Sequence, residues 1–349
     1  MSGRWFAHGR DAVALLGELP VTPERRRLRA EMLLALGTIR WQHAGPGTDF
    51  SLRAAFDTLR EARAALGDKD ATGMRGAIVA AMAGVAAELG DITALDTALG
   101  ELSEATRVLL AEGAAVEAAR LLNDEAALLL RVGDPVQAAW LLERARSVFE
   151  RQVESMDVEA LRQDPTALAE LAETDHLYAR LPLHAAARPG READALALGQ
   201  DHARAALELY ERLGDGREAA RVRETLARLE LRAGHPRRAE ELLQEALHAQ
   251  ETLGDVLGLA RTAGALAEVA AQAGRFDEAL QRLGDSLAFN VDKGSALGVA
   301  WNRRALARIA DAVRGSGAEE TTRAFDALAE QMERAEAIVG PVRLPADEA

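Results

Sequence analysis

Apolar residues recur along most of the chain at i, i+3, i+4 and i+7, which is the spacing of one face of an α-helix. In the clearest stretch, one amphipathic segment runs from about 216 to 233, Gly234 ends it, and Pro236 begins a second segment that ends at Gly254. Glycine suits the left-handed residue after a helix, and proline suits the first helical turn. The pattern therefore predicts pairs of antiparallel helices joined by tight turns.

The helix pair is repeated at a fixed spacing. Residues 213–215 and 253–255 both read LGD, 40 residues apart, and Gly294 lies 40 residues after Gly254. The phrases LRVGDPVQAAWLLERA and LRAGHPRRAEELLQEA, which begin at Leu130 and Leu231, share a Gly-x-Pro turn and the same Ala and Leu-Leu positions. One helix pair cannot bury its apolar face alone, whereas stacked pairs can, so the repeat predicts an all-α solenoid of about seven antiparallel pairs.

The repeat is interrupted near its middle. Gly133 and Gly234 are 101 residues apart with one further hairpin between them, although two periods would give 80. About 21 additional residues must therefore lie between Glu154 and Glu192. We expect an additional short helix or an extended loop there.

The pattern divides the chain into five segments. They are an N-terminal cap or unpaired helix (1–20), N-terminal helical repeats (21–154), an insertion with irregular helical structure (155–191), C-terminal repeats (192–340) and a disordered tail (341–349). The unpaired first helix fits two interpretations, a cap on a stand-alone protein or the second half of a hairpin that begins in a longer parent chain.

Composition narrows the class of protein. The chain is 48% apolar but only 4% aromatic, and Ala and Leu dominate, which favours helices. There is no cysteine, which excludes disulfides and thiolate chemistry. The net charge of −14 opposes general binding to nucleic acid, and no segment has about 18 uncharged apolar residues, the length of a membrane span. We therefore expect a cytoplasmic protein that binds neither nucleic acid nor membranes.

The repeated positions resemble the signature of the tetratricopeptide repeat (TPR), which has a small residue, then Gly, Ala, a large apolar residue and Ala at fixed offsets. One unit fills these positions with Ala227, Gly234, Ala239, Leu243 and Ala246, and the next with Ala267, Gly274, Ala279, Leu283 and Ser286. The usual aromatic residues are missing, and the period is 40 residues instead of about 34. This resembles the long-period TPR-like regions that follow the ATPase modules of large bacterial signalling regulators. The resemblance implies a right-handed superhelix and a binding function, without identifying the partner.

The sequence offers little catalytic chemistry. GK[ST] is absent, and GDGREA at 214–219 follows a helical segment instead of the strand that a dinucleotide motif requires. No H-E-x-x-H occurs, and the closest histidines, His176 and His184, are eight residues apart, so we interpret them as capping or solvent-facing residues. Ser316 lacks the strand-turn-helix setting of a nucleophile elbow. We therefore predict no enzyme activity, no cofactor and no metal site.

The resemblance also implies which residues face the concave groove, since particular positions of the first helix of each TPR unit line it. The resulting candidate partner-binding residues are Arg120, Asn123, Asp124, Arg131, Arg221, Glu224, Arg228, Arg232, Arg261, Glu268, Gln272, Trp301, Arg304 and Arg308. Asn123 stands where carboxylate-binding TPR proteins place an asparagine that grips the peptide backbone, but the lysines of that clamp are absent.

These groove positions predict a locally positive surface in an acidic protein. Arginine can bind carboxylates through two parallel hydrogen bonds, so an acidic peptide segment or a C-terminal carboxylate is the predicted ligand. In the alternative interpretation, the arginines form solvated ion pairs with Glu224, Glu268 and neighbouring helices. Trp301 fits either a ligand anchor or a packing residue.

Two functions follow from this surface. The first is a non-catalytic scaffold that recognises another protein through its Arg-lined concave face, as the sensor or regulatory part of a larger signalling system. The alternative is a ligand or peptide sensor whose superhelical curvature changes when a small molecule binds.

Overall fold

A computed structural model describes residues 2–44, 50–66, 72–184, 190–315 and 317–342. Within these ranges the chain forms sixteen α-helices and no β-strand, which confirms the all-α class. The helices are α1 (Ser2–Glu18), α2 (Pro23–Gln42), α3 (Leu52–Leu66), α4 (Thr72–Leu89), α5 (Ile92–Ala111), α6 (Ala115–Val132), α7 (Pro135–Ser155), α8 (Val158–Gln163), α9 (Thr166–His184), α10 (Glu192–Leu213), α11 (Gly216–Arg232), α12 (Pro236–Leu253), α13 (Val256–Gln272), α14 (Phe276–Lys293), α15 (Ala296–Gly315) and α16 (Glu319–Val339). Ser316 and residues 343–349 of the predicted tail lie outside the described residues.

The helices pair as the repeat predicts. Helices α2 and α3, α4 and α5, α6 and α7, α9 and α10, α11 and α12, α13 and α14, and α15 and α16 form seven pairs, and each pair contacts the next. The pairs stack into a right-handed superhelical solenoid, in which the first helices of neighbouring pairs also touch. Helix α1 precedes the first pair and packs against α2. No helix in the described part of the chain combines the length and hydropathy needed to cross a membrane.

The repeated Gly-Asp phrase forms the turns between pairs. Gly214 adopts φ +70° after α10, a left-handed conformation that would strain a residue with a Cβ atom. Asp215 follows as the N-cap of α11, and its carboxylate accepts a 3.1 Å hydrogen bond from the backbone N–H of Glu218. Gly254 and Asp255 repeat this arrangement between α12 and α13. The phrase thus ends one helix and begins the next within two residues.

The predicted interruption lies between α7 and α9. The short helix α8 occupies it, and the side chain of Asp157 caps this helix by accepting a 2.8 Å hydrogen bond from the N–H of Ala160. Within the predicted insertion 155–191, α9 is a regular helix that packs against α7 and pairs with α10. The limits of the five predicted segments remain a proposal.

Small residues allow the helices to approach closely. Ala227, Ala239 and Ala246 of one repeat unit are all buried, as the TPR-like pattern implies. Gly84 on α4 is packed under Trp41 of α2, where a Cβ atom would lie 2.2 Å from Cη2 of the indole ring. Close packing of Ala, Gly and Leu residues fills the space that the aromatic residues of the signature would occupy.

The superhelix returns to contact its own beginning. Helix α4 of the second pair touches α15 of the seventh pair. At this contact Ser295 Oγ donates a 2.6 Å hydrogen bond to Glu88 Oε2, and a Cβ atom at Gly90 would lie 3.7 Å from the Cβ atom of Ala296. The charged residues of the inner helices are therefore brought together from distant parts of the chain.

Candidate functional site

Glu224 on α11 is the acidic centre of the C-terminal inner surface. Its buried carboxylate lies 3.3 Å from Arg228 Nη2 and 3.1 Å from Arg261 Nε. Burial raises the pKa of Glu224, but the charges of Arg261 and then Arg228 outweigh burial and hold the pKa below its ordinary value. Further along, Arg308 Nη1 lies 3.7 Å from Glu268 Oε1. Several predicted groove arginines are thus engaged in ion pairs.

A second acidic centre, Glu88, is absent from the sequence predictions. Its carboxylate accepts the hydrogen bond from Ser295 and lies 4.0 Å from Arg131 Nη1. Burial raises the pKa of Glu88, but the charges of Lys293 and Arg131 and the hydrogen bond from Ser295 outweigh burial, so the pKa lies below its ordinary value. Lys293 is itself buried, and burial lowers its pKa to about 8 in spite of Glu88.

Helix α9 adds a positive centre that has no direct counter-charge. Among the described residues, Arg180 has no hydrogen-bond or ion-pair partner. Burial, followed by the charges of Arg131 and Arg221, lowers the pKa of Arg180 to about 9, and Arg228 contributes to the same repulsion. One turn further on, burial and the charges of Arg180 and other nearby arginines lower the pKa of His184 to about 3. We call Arg131, Arg180, Arg228 and Arg232 the arginine cluster.

The groove residues on α6 have mixed roles. Asn123 is 3% exposed; its Nδ2 donates to the backbone oxygen of Glu170 at 3.3 Å, and its Oδ1 accepts from Thr174 Oγ1 at 3.0 Å. The amide is therefore engaged by α9, and the peptide-gripping role implied by the resemblance stays a prediction. Arg120 pairs with the Glu170 carboxylate at 3.1 Å. Burial, then the charge of Glu170, raises the pKa of Asp124 to about 8.

The remaining predicted residues lie nearer the solvent. Trp301 is 43% exposed, and the guanidinium carbon of Arg304 lies 5.0 Å from its ring centroid, the geometry of a cation–π contact. Arg232 is exposed and donates a 2.8 Å hydrogen bond to the backbone oxygen of Pro182. Gln272 at the end of α13 is also exposed.

Similarity to known proteins is visible in structure and not in sequence. No protein-family model matches the sequence, and no curated protein is similar to it. A Rap protein complexed with competence and sporulation factor is similar over 95% of this chain and 93% of that chain, with a TM-score of 0.60 and 12% identity. BtubC (BKLC) from P. vanneervenii is similar over 73% of this chain and 96% of that chain, with a TM-score of 0.50 and 17% identity.

A third structure, from Pyrococcus horikoshii, is a signal transduction ATPase with numerous domains that carries a tetratricopeptide repeat sensor. It is similar over 96% of this chain and 50% of that chain, with a TM-score of 0.50 and 12% identity. The chain has a TPR-like helical-repeat fold.

The TPR-like arrangement explains which functional residues the sequence analysis missed. Glu173, His176, Arg180 and His184 are spaced by three, four and four residues, so they form a polar stripe along one face of α9. The groove predictions include no residue of this helix, because the insertion before it breaks the 40-residue register. His176 was interpreted as a capping or solvent-facing residue, and that interpretation is wrong because the side chain is buried. The polar stripe was the signal that could have identified them.

The stripe on α9 also meets an acidic residue of α11. One nitrogen of His176 and carboxylate oxygens of Glu173 and Glu218 all lie within 4.8 Å of one another. Glu218 is 42 residues from His176 and on a different helix, so motif spacing could not show this grouping. The absence of a metal site remains a prediction from the sequence.

Proposed function

We propose that the chain is a non-catalytic TPR-like protein that binds another protein on its concave face, with the arginine cluster as the site for an acidic segment or a C-terminal carboxylate. The observation that carries the proposal is the position of Arg180, which lies close enough to three other arginines to lower its pKa and has no direct anionic partner among the described residues. A carboxylate from a ligand would relieve this repulsion and accept two parallel hydrogen bonds from a guanidinium.

The ion pairs indicate which arginines are available. Arg261 and Arg228 already share Glu224, and Arg308 has Glu268, so these side chains have local counter-charges. Arg180 has no direct ion pair among the described residues and only the more distant charge of Glu173, and the Glu88 carboxylate lies 4.0 Å from Arg131, at the limit of an ion pair. The favoured position for a ligand carboxylate is therefore between α6, α9 and α11.

Structural relatives support a regulatory role for this fold. The Rap protein is known in complex with competence and sporulation factor, and the archaeal ATPase carries a TPR sensor. By analogy, we propose that the present chain is the sensor or regulatory part of a signalling system.

The alternative function, a sensor that changes curvature, is favoured by a separate observation. The contact between Glu88 and Ser295 joins the second and seventh helix pairs. A small ligand that binds the closed and open superhelix with different affinities would shift the population between them. A partner protein can shift the same equilibrium. The two functions therefore differ in the ligand, which is a protein in the first and a small molecule in the second.

Binding can be measured by fluorescence anisotropy with a labelled acidic peptide that ends in a free carboxylate, and with the same peptide amidated. Arg180→Met should weaken binding of the free-acid peptide about tenfold or more, because a hydrogen bond to a charged group contributes about 1.5–3 kcal/mol. The matched control is Arg238→Met, because Arg238 is an exposed arginine on the outer helix α12, paired with Glu241 at 2.9 Å.

The proposal is wrong if the two variants bind the peptide equally well. Small-angle scattering with the peptide and, separately, with glutarate tests the alternative. A change in radius of gyration with glutarate alone would favour the small-molecule sensor.

A further inference from the structure

Three acceptor atoms converge where α9 meets the beginning of α11. Glu173 and His176 are three residues apart on α9 and so lie on the same face of the helix, and Glu218 stands in the first turn of α11. Their side chains bring one imidazole nitrogen and two carboxylate oxygens within 4.8 Å of one another.

The hydrogen bonds of His176 determine which nitrogen faces the carboxylates. His176 Nε2 lies 2.9 Å from Thr225 Oγ1, and the Thr225 hydroxyl donates to the backbone oxygen of Arg221 at 3.3 Å. In the tautomer with the proton on Nε2, Thr225 Oγ1 accepts this hydrogen bond and Nδ1 presents a lone pair towards the carboxylates.

This Nδ1 lone pair has no hydrogen-bond partner among the described residues. The His176 side chain is only 2% exposed, so water does not readily satisfy it. Glu173 Oε2, which is another acceptor, lies 3.7 Å from Nδ1. A buried acceptor without a donor is costly, unless a cation binds between it and the carboxylates.

Both carboxylates are held in position by neighbours. Tyr210 Oη donates a 3.0 Å hydrogen bond to Glu173 Oε2, and Arg221 donates to the Glu218 carboxylate. Ligands of metal ions are oriented by outer hydrogen bonds of this kind.

We propose that Glu173, His176 and Glu218 form a binding site for a divalent first-row transition metal ion such as Zn²⁺ or Mn²⁺. One imidazole nitrogen with two carboxylate oxygens suits these ions, whereas Mg²⁺ prefers oxygen ligands and water. Ligand atoms about 2.1 Å from a tetrahedral ion lie roughly 3.4 Å apart, so small side-chain rotations would close the site. The proposal departs from the expectation from the sequence that no metal is bound, and the experiment below decides between them.

Arg221 is the internal competitor for this site. Its guanidinium is hydrogen-bonded to Glu218, and its charge also acts on Glu173. A divalent ion must displace it from Glu218, so removal of the guanidinium should favour metal binding. Arg221→Gln should therefore raise the affinity for Zn²⁺.

The test uses the full chain without a histidine tag, stripped with a chelator and titrated with Zn²⁺ by calorimetry. Co²⁺ serves as the optical probe and Mg²⁺ as the comparison ion. We expect saturable binding of one Zn²⁺ per chain, lost in His176→Asn and retained in the matched control His248→Asn, which changes an exposed histidine on α12. Thr225→Val should weaken binding by about 10- to 100-fold through loss of the outer hydrogen bond.

Glu218→Gln provides a second ligand variant in case His176→Asn does not fold. The proposal is overturned if the wild-type chain shows no saturable Zn²⁺ binding, or if a folded His176→Asn or Glu218→Gln variant binds as tightly as His248→Asn. A lower Zn²⁺ affinity in Arg221→Gln would also contradict the site as described.

Discussion

Ser295 donates a 2.6 Å hydrogen bond to Glu88, a residue 207 positions earlier in the chain. Glu88 also provides negative charge near Lys293 and Arg131. Glu88→Gln keeps a similar shape but leaves these two cations without their counter-charge. We expect it to loosen the contact between α4 and α15 and to destabilise the fold by about 1.5–3 kcal/mol, measured by urea unfolding.

Small-angle scattering and amide hydrogen exchange also report on the contact between α4 and α15. The radius of gyration should rise in Glu88→Gln, and amide exchange should accelerate in α15. Glu104→Gln is the control, because Glu104 forms an exposed pair with Arg107 within α5. Equal behaviour of the two variants would show that the Glu88 contact does not hold the superhelix closed.

Acid should remove the contribution of Glu88 to the stability of the fold. Its pKa in the folded chain is lowered from the ordinary value of 4.5, so its stabilising effect is complete above that value and is lost as the pH falls through the lowered folded pKa. The stability difference between wild-type and Glu88→Gln should therefore shrink in acid, as measured by urea unfolding across a pH series. A difference that stays constant down to the acid transition would contradict the lowered pKa.

Lys293 should titrate near pH 8. Burial lowers its pKa to about 8 from 10.5, and Lys69 is the only other lysine in the chain. Because the unfolded chain holds this proton at higher pH, the contribution of Lys293 to stability should improve as the pH rises from 8 towards 10.5. NMR of ¹³C-lysine-labelled protein should show one resonance with a midpoint near 8 that disappears in Lys293→Arg. Two midpoints near 10.5 would refute this prediction.

Gly84 should not tolerate a methyl group. Gly84→Ala would place Cβ 2.2 Å from Cη2 of Trp41 and should destabilise the chain by about 1–3 kcal/mol through overpacking. Gly100→Ala on α5 has nothing within 4 Å of its Cβ and should stabilise by about 0.4–1 kcal/mol. Opposite signs in thermal unfolding, with a change in Trp fluorescence for Gly84→Ala alone, would confirm the close helix contact.

Ser286 should contribute through a buried polar chain. Its hydroxyl donates to the backbone oxygen of Ala260 at 2.7 Å and accepts from Asn302 Nδ2 at 2.8 Å. Ser286→Ala removes the acceptor of the buried Asn302 Nδ2 and one of the hydrogen bonds to the Ala260 oxygen, and it should destabilise the fold by about 1–3 kcal/mol. Ser147→Ala removes an exposed hydroxyl bonded to the backbone of its own helix α7, and its effect on urea unfolding should be smaller. Equal effects would mean that water satisfies the buried groups.

Local rules were sufficient for the helix pairs. The 3.6-residue periodicity and the Gly-Asp turns depend on neighbouring residues, and the structure places α11, for example, at Gly216–Arg232, where a segment from about 216 to 233 was predicted. The ion pair of Arg228 with Glu224 is also local, since the residues are four apart on one helix. These features could be predicted because they require only the sequence of one repeat.

The rest of the candidate site depends on the rotation of each helix pair relative to the next. Glu88 meets Ser295 only because small rotations between successive pairs accumulate into one superhelical turn, and no single repeat encodes that sum. Arg180 was missed for a related reason, because the insertion removes the register that assigns inner positions on α9. The burial of His176, which the sequence predicted to be capping or solvent-facing, depends on the same packing of α9. The ion-pair interpretation applies to Arg261 and Arg308, whereas the position of Arg180 required the tertiary structure.

The return of α15 to α4 has a consequence for the order of folding. Most contacts in a stack of helix pairs are local and form quickly, whereas a contact across 207 residues has a large loop-closure entropy until the intervening pairs have stacked. The arginine-rich inner surface would therefore remain open while the pairs stack on their neighbours. Closure would come last, when the seventh pair is complete.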